Sequence, residues 1–556
     1  MKKVLFMLSI LAIAAIIILG FTFKSSPVRK SGPDESAGGE QDGKAEEQSM
    51  TPTQQIEAIV TLAKQGTTPN FDGIAGKTTA EEVEKQWTAP GTSSETKTGF
   101  YTDYPEHDAT IGTRGGLVFD VRYAGKDLET IHYKDLQTTL GDPDETKTFQ
   151  DDTHDQLIWI YQVNAAYQLK WVLPKPTDTA PNPAVDHIAV WTKVLTKEEQ
   201  MLSEMSLDEK IGQLVIAGID GTGINESSKR LIEQYKIGGI IFYANNVDTP
   251  DQTVQFVNNL KAANQGNPLP LFISIDQEGG RVARLPKQVK QIPTAAKIGK
   301  TKNPDYAFTI GQALGKQVTQ FGFNMDFAPV LDVNSNPNNP VIGDRSYSAN
   351  PNVVSQLAIQ TMKGIEKQHV IPVVKHFPGH GDTSVDSHLE LPKVNKTLQQ
   401  LEQLELIPFK RAIEADADVI MVGHILLPQL DETYPASMSE AIITDLLRKQ
   451  LGYKGVIMTD DMTMKAITNH YGQSQAAVHS IKAGSDVVLI AHDPAKTSAA
   501  IDALKAAVAS NEITEQRIDE SVLRIIQLKR KYQLEDKSTK HVDIEQLNEK
   551  IETLLK

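Results

Sequence analysis

Lys2 and Lys3 precede an almost unbroken apolar run from Val4 to Phe23, and Lys24 closes it. A run of that length covers a bilayer core of about 30 Å at about 1.5 Å per residue, and it has no polar face to suit a helix buried in a globular fold. No small-residue cleavage site follows Phe23, so residues 1–24 are expected to remain as a signal-anchor or transmembrane segment. The lysine pair then holds the amino terminus in the cytoplasm and leaves the rest of the chain at the extracellular face of the membrane, or secreted if the segment is removed. Residues 25–50 are rich in Ser, Gly, Glu, Asp and Lys with almost no large apolar side chain, which predicts a flexible linker.

Over 51–195 the rhythm becomes one of short β-like runs, among them Leu117–Tyr123, Leu157–Tyr161 and Gln168–Leu173, separated by Gly, Pro, Asp and Asn. This predicts a small α+β domain. A faint internal echo runs through it: a helical stretch into Trp87-Thr88-Ala89-Pro90-Gly91 and another into Leu140-Gly141-Asp142-Pro143, each followed by β-like sequence. All of the tryptophans, Trp87, Trp159, Trp171 and Trp191, fall here, and core packing is expected of them before stacking on sugar rings. From 196 to 535 the pattern is regular. Ser206-Leu207-Asp208-Glu209 has capping-box spacing and opens an apolar-periodic helix. Apolar runs then recur near Leu214–Ile219, Gly238–Phe242, Leu271–Ile275, Asn324–Val330, Ile371–Val374, Val419–Val422, Gly455–Met458 and Val487–Ile490, with helix-like segments between most of them. Strands alternating with helices pair in parallel, and this number of units predicts a closed (β/α)8 TIM-type barrel, an α/β fold, rather than an open sheet. Residues 536–556 have helical spacing and predict a C-terminal surface helix.

Length and charge narrow the picture further. A chain of 556 residues is too long for one ordinary core, in keeping with the two folded units read above. A formal net charge of -15 argues against a nucleic-acid partner, which calls for clustered Lys and Arg. The absence of cysteine removes disulfides, thiolate metal sites and cysteine nucleophiles together.

Chemistry concentrates where the barrel runs end, at Asp276, Asp332, Lys375-His376, His424 and Asp460, and loops at strand ends are where barrels of this kind carry their sites. Three segments stand out: Asp276-Gln277-Glu278-Gly279-Gly280-Arg281 with Arg284, then Lys375-His376-Phe377-Pro378-Gly379-His380-Gly381 through Asp386-Ser387-His388, then Gly455 to Asp461. The middle one gathers His376, His380, Asp382, Asp386 and His388, as a metal site would. Pro378 and Gly379 interrupt the helix that a His pair four apart needs, and Lys375 repels a cation, so no metal is expected. Lys375 and His376 suit hydrogen bonds to sugar hydroxyls, while Asp460 is placed to attack an anomeric carbon. Retaining glycosidases usually add a second carboxyl about 5 Å away as acid and base. Here an imidazole held by an aspartate, His388 with Asp386, can substitute near neutral pH.

These residues carry a resemblance. About Leu202 to Leu534 is similar to glycoside hydrolase family 3, specifically its bacterial β-N-acetylglucosaminidase branch. The family's nucleophile signature matches Leu446-Leu447-Arg448 through Gly455-Val456-Ile457-Met458-Thr459-Asp460, and the Lys-His-Phe-Pro-Gly-His-Gly stretch followed by Asp-Ser-His resembles the acetylglucosaminidase branch more than the β-glucosidases. The resemblance implies Asp460 as nucleophile, Asp386 and His388 as the acid/base dyad, and Asp276, Arg284, Arg345, Lys375 and His376 as the residues that bind the terminal N-acetylglucosamine. It implies no cofactor and no metal, and a peptidoglycan-derived oligosaccharide or muropeptide as substrate; contact with the bacterial membrane is expected through the N-terminal helix read above. A phosphorylase or β-glucosidase using the same residues remains open, and so does a non-catalytic cell-wall-binding protein. The front domain resembles a small domain of unknown function from secreted Gram-positive proteins, and no chemistry is assigned to it.

Overall fold

The computed structural model describes residues 50–384, 386–387 and 390–556. The expected anchor over 1–24, and all of the expected linker except Met50, lie outside the described residues. Among the described residues no helix is long and apolar enough to cross a membrane.

The front domain is built twice over. Helices Pro52–Gln65 and Ala80–Gln86 each start from a threonine whose hydroxyl caps the third helical N–H and whose own N–H is taken by Gln54 or Glu82. Antiparallel strands Ser93–Glu95, Phe100–Tyr104, Ala109–Arg114 and Leu117–Tyr123 follow in a meander. Helix Tyr133–Leu140 then introduces a second meander, Glu145–Gln150, Asp155–Gln162, Gln168–Pro174 and His187–Trp191. The last strand of each half pairs with the other at the centre, Val121 opposite Val190, so one eight-stranded sheet reads outward symmetrically from that seam. The echo in the sequence coincides with this duplication: Trp87 ends the helix of the first half and Gly141 that of the second. Each half has its own apolar core. Phe71, Val83, Trp87, Ile111 and Val121 form one, and Ile56, Ile59, Leu136, Trp159, Trp171 and Ile188 the other. Trp87, Trp159 and Trp171 are buried, and Trp191 is half-buried beneath the Lys170 ammonium, 5.2 Å from its ring.

The second unit is a closed barrel of eight parallel strands: Val215–Gly218, Gly239–Phe242, Phe272–Ile275, Met325–Asp326, Ile371–Phe377, Val419–Val422, Val456–Asp461 and Val487–Ile490, the last pairing with the first. Their residues are buried on both faces, which is why the runs are uniformly apolar instead of alternating. Two strands differ from the expected spans. The fourth makes only two residues of ladder because Pro329 has no N–H to donate, and the chain rejoins its neighbour at Val330 and through the Leu331 N–H to the Lys375 carbonyl, 2.6 Å. The fifth continues past Val374, so Lys375 and His376 lie within the strand. Helix Lys197–Glu204 packs on Glu515–Lys531 and so belongs to the barrel. The C-terminal helix, Ile544–Leu555, is more than a surface element: Leu547 and Ile551 are buried, and it packs on helix Pro304–Gln320.

Candidate active site

The carboxyl ends of the barrel strands surround a cavity of about 550 Å³. Asp276, Arg284, Arg345, Lys375, His376, Asp386 and Asp460 all line it, although they come from five separate stretches of chain. His388 lies outside the described residues.

The floor of the cavity is a lattice of buried charges. Lys375 Nζ donates to Asp276 Oδ1 at 2.7 Å and reaches Glu278 Oε1 at 2.8 Å. Arg345, on the short turn Gly343–Arg345, grips the same glutamate with both arms of its guanidinium, Nε to Oε2 at 2.8 Å and Nη2 to Oε1 at 2.7 Å. Burial opposes charge on Glu278, but Arg345 and then Lys375 outweigh it and hold the carboxyl well below the usual carboxylate range. Lys375 is likewise desolvated, and Asp276 and Glu278 hold it above the usual lysine value. Both cations therefore stay charged in a dry site, where their donors are strongest. Beneath them Asp326 differs. Burial pushes its carboxyl well up despite one hydrogen bond from the Gln277 N–H at 2.9 Å, and its other oxygen has no partner among the described residues.

His376 is oriented by a carboxylate that the candidate set omitted. Asp332, fully buried, accepts from His376 Nδ1 at 2.6 Å and from the main-chain N–H of His376 and of His380 at 3.3 and 2.6 Å. Burial works against its charge, and the His376 contacts still keep it below its ordinary value. With Nδ1 committed to Asp332, the other nitrogen of His376 faces Arg345 Nη2 at 3.5 Å. Arg284 is presented by a tight turn, its N–H bound to Gln277 Oε1 at 2.9 Å, and its buried Nε has no partner among the described residues.

Asp460 closes strand Val456–Asp461 on the far wall, with Oδ1 accepting from the Asp461 N–H at 2.8 Å. Asp461 points away from such a role. Its carboxylate is consumed by the N–H and hydroxyl of Thr463 and the N–H of Ala491, at 2.9, 2.7 and 3.0 Å. His424 Nε2 lies 2.9 Å from the Asp461 carbonyl and pins the strand end. Tyr243, tilted against His492 with ring centres 4.2 Å apart, completes the wall; burial and then the charges of Asp461, Asp276 and Asp460 push its phenol well up, so it stays protonated.

Glu278, Asp332, His380, Tyr243 and His492 were not among the candidate site residues. Glu278 sat in a segment already singled out and Asp332 was named among the polar strand ends, and a strand-end carboxylate facing a neighbouring strand's Lys or His was the available signal. Tyr243 and His492 offered none, because only barrel closure brings the second and eighth strands to the same cavity.

Residues 206–528 match the family described as glycosyl hydrolase family 3 N terminal domain, and residues 56–191 match a domain of unknown function (DUF4309). A protein named Beta-hexosaminidase A from Pseudoalteromonas piscicida is 40% identical over 325 residues, covering 54% of this chain, and the chain spans about half, 54%, of that relative's length. A Beta-hexosaminidase from Idiomarina loihiensis is 32% identical over 297 residues, 53% of this chain and 88% of its own. The solved structure of a glycoside hydrolase family 3 β-N-acetylglucosaminidase from a Paenibacillus strain superposes with a TM-score of 0.59 at 38% identity, over 63% of this chain and 68% of that one.

Proposed function

Since the chain belongs to glycosyl hydrolase family 3, we propose that it is a retaining exo-β-N-acetylglucosaminidase that removes terminal β-linked N-acetylglucosamine from peptidoglycan fragments. The observation that carries this is the placement of Asp460 on one wall of a cavity lined also by Asp276, Lys375, Arg345 and His376, with Glu278 tying Lys375 to Arg345. Fixed charged donors and acceptors hold the hydroxyls of one terminal sugar, which sets its anomeric carbon against the Asp460 carboxylate. Asp460 forms the glycosyl ester as the leaving oxygen is protonated by His388, held by Asp386; the same imidazole then removes a proton from the water that releases the sugar. The names carried by the relatives favour an acetylated sugar over glucose. The wall-fragment substrate rests on location: residues 1–24 as an anchor place the barrel outside the membrane, where such fragments arise.

The test is release of nitrophenol from β-N-acetylglucosaminide and from β-glucoside by the chain lacking residues 1–30, with and without phosphate, beside Asp460→Ala and His388→Ala. Cleavage of the acetylated sugar alone, lost in both variants and indifferent to phosphate, is the expected result. Phosphate dependence makes the protein a phosphorylase, and activity retained in Asp460→Ala removes the covalent mechanism.

A further inference from the structure

His380 lines the cavity without having a place in the mechanism above. It is buried and held at several points. Its main-chain N–H is fixed by Asp332, and Asn339 Nδ2 donates to its carbonyl at 2.8 Å and to that of Gly381 at 3.1 Å. Gly381 packs so closely on the next loop that a Cβ there would stand 1.7 Å from the Val333 carbonyl oxygen. This anchors His380 to the rigid lower lattice. From that platform the imidazole reaches upward, with Nδ1 2.7 Å from Thr383 Oγ1 and Nε2 3.3 Å from Ser387 Oγ.

The hydroxyls of Thr383 and Ser387 can each donate or accept, so a neutral ring satisfies both contacts in either tautomer. Burial, and then the neighbouring His376, hold His380 down to about 4, which keeps the ring neutral near pH 7. Ser387 is tied at a second point, its carbonyl accepting from the Ala466 N–H at 3.2 Å in the segment that follows Asp460. Asp386, its immediate neighbour, faces the same cavity.

We infer that His380 is a positioning residue for acid/base catalysis: its ring links the Asp332 platform to Ser387 and thereby sets Asp386 over the cavity. The inference rests on the proposed glycosidase mechanism. His380 touches no reacting atom, and its loss acts through the Asp386–Ser387 segment. Acid assistance matters in proportion to how badly the leaving group departs unaided. A positioning defect therefore has a signature that a general loss of structure lacks.

The experiment compares kcat/KM of the wild type, His380→Gln and Ser387→Ala on aryl β-N-acetylglucosaminides with leaving groups graded from dinitrophenol, which departs without a proton, to unsubstituted phenol. Ser387→Ala removes one hydroxyl and tests the same link should His380→Gln fold poorly. Both variants are expected to stay within about threefold of wild type on the dinitrophenyl sugar and to lose at least tenfold more on the phenyl sugar, with azide accelerating turnover of the former. A loss uniform across leaving groups, or no loss in either variant, overturns the positioning role. A wild type that cleaves none of the series overturns the glycosidase mechanism and the inference with it.

Discussion

The front sheet and the barrel are both folded by apolar burial, yet they treat charge in opposite ways. Among the described residues of the front domain a single carboxylate, Asp120, is buried, beside Arg122 and Tyr101 and outside the two apolar clusters, while pairs such as Lys147 with Glu145 and His154 with Asp151 lie in the open. In the barrel, Glu278, Asp332, Lys375 and Arg345 are withdrawn from water at one end of the strands. Desolvating an ion costs several kcal/mol, and a packed apolar layer would serve stability as well or better. Burial of that kind, gathered in a cavity, is what a binding and catalytic site requires and what a structural core does not. The difference places the chemistry in the barrel and leaves the front domain a folding unit with an uncommitted surface.

The largest effect should come from the smallest structural change. Asp460 is partly exposed at the end of its strand, so Asp460→Ala should cost the barrel little stability while lowering kcat by about 10⁴-fold or more. Turnover of a nitrophenyl substrate beside a thermal melt checks both halves. The converse change is Trp171→Ala. Trp171 is fully buried in the second half of the front sheet, and truncation should cost about 3–5 kcal/mol there. A denaturation curve should show the front domain unfolding early while the barrel keeps its kcat. Loss of turnover in step with the front domain would end the division of labour.

Much of this division was legible in the sequence, for reasons that particular residues illustrate. The barrel strands announce themselves because both faces are covered, so runs such as Val419–Val422 are apolar without alternation, and the Ser206 and Glu209 capping box forms as its spacing requires. Asp276, Lys375 and Asp460 could be located because strand ends are where such barrels keep their polar groups. Glu278 and Asp332 escaped because their partners are distant in the chain: Arg345 and Lys375 for one, His376 for the other. Pairing across the barrel leaves no periodic trace. The symmetric seam of the front sheet was visible only as an echo of helix ends, since strand order is not written in the local pattern.

A third prediction concerns the opposite end of the barrel. Lys529 is buried at the amino ends of the first two strands, donating to Gln213 Oε1 at 2.7 Å and the Gly238 carbonyl at 3.0 Å, with no carboxylate in contact among the described residues. Burial lowers it from 10.5 to about 7. Between those values the unfolded chain holds the proton and the folded chain does not, so stability rises with pH by up to about 1.4 kcal/mol per unit and is flat with respect to this group below about 7. Lys529→Met should flatten that rise, measured by denaturant unfolding at pH 7 and 9.5, without altering kcat. A slope that survives the substitution assigns it elsewhere.

The weakest expected effect bears on whether the two regions work separately. Arg114, at the tip of a front-sheet hairpin, bonds Glu199 at the start of the barrel at 2.8 Å, with 35% and 22% of the two side chains exposed. A pair so accessible to water contributes about 0–1 kcal/mol. Glu199 loses little else, since its other role is to close the cap of helix Lys197–Glu204. Arg114→Ala should therefore shift the front-domain midpoint by less than about 1 kcal/mol and leave kcat/KM for a nitrophenyl sugar untouched. The informative arm is a longer glycan. If the front domain merely stands in front of the barrel, Arg114→Ala treats long and short substrates alike. A selective drop on the long one would mean that the front sheet is held by this contact at a distance a glycan can span, and that its open face forms part of the substrate's path.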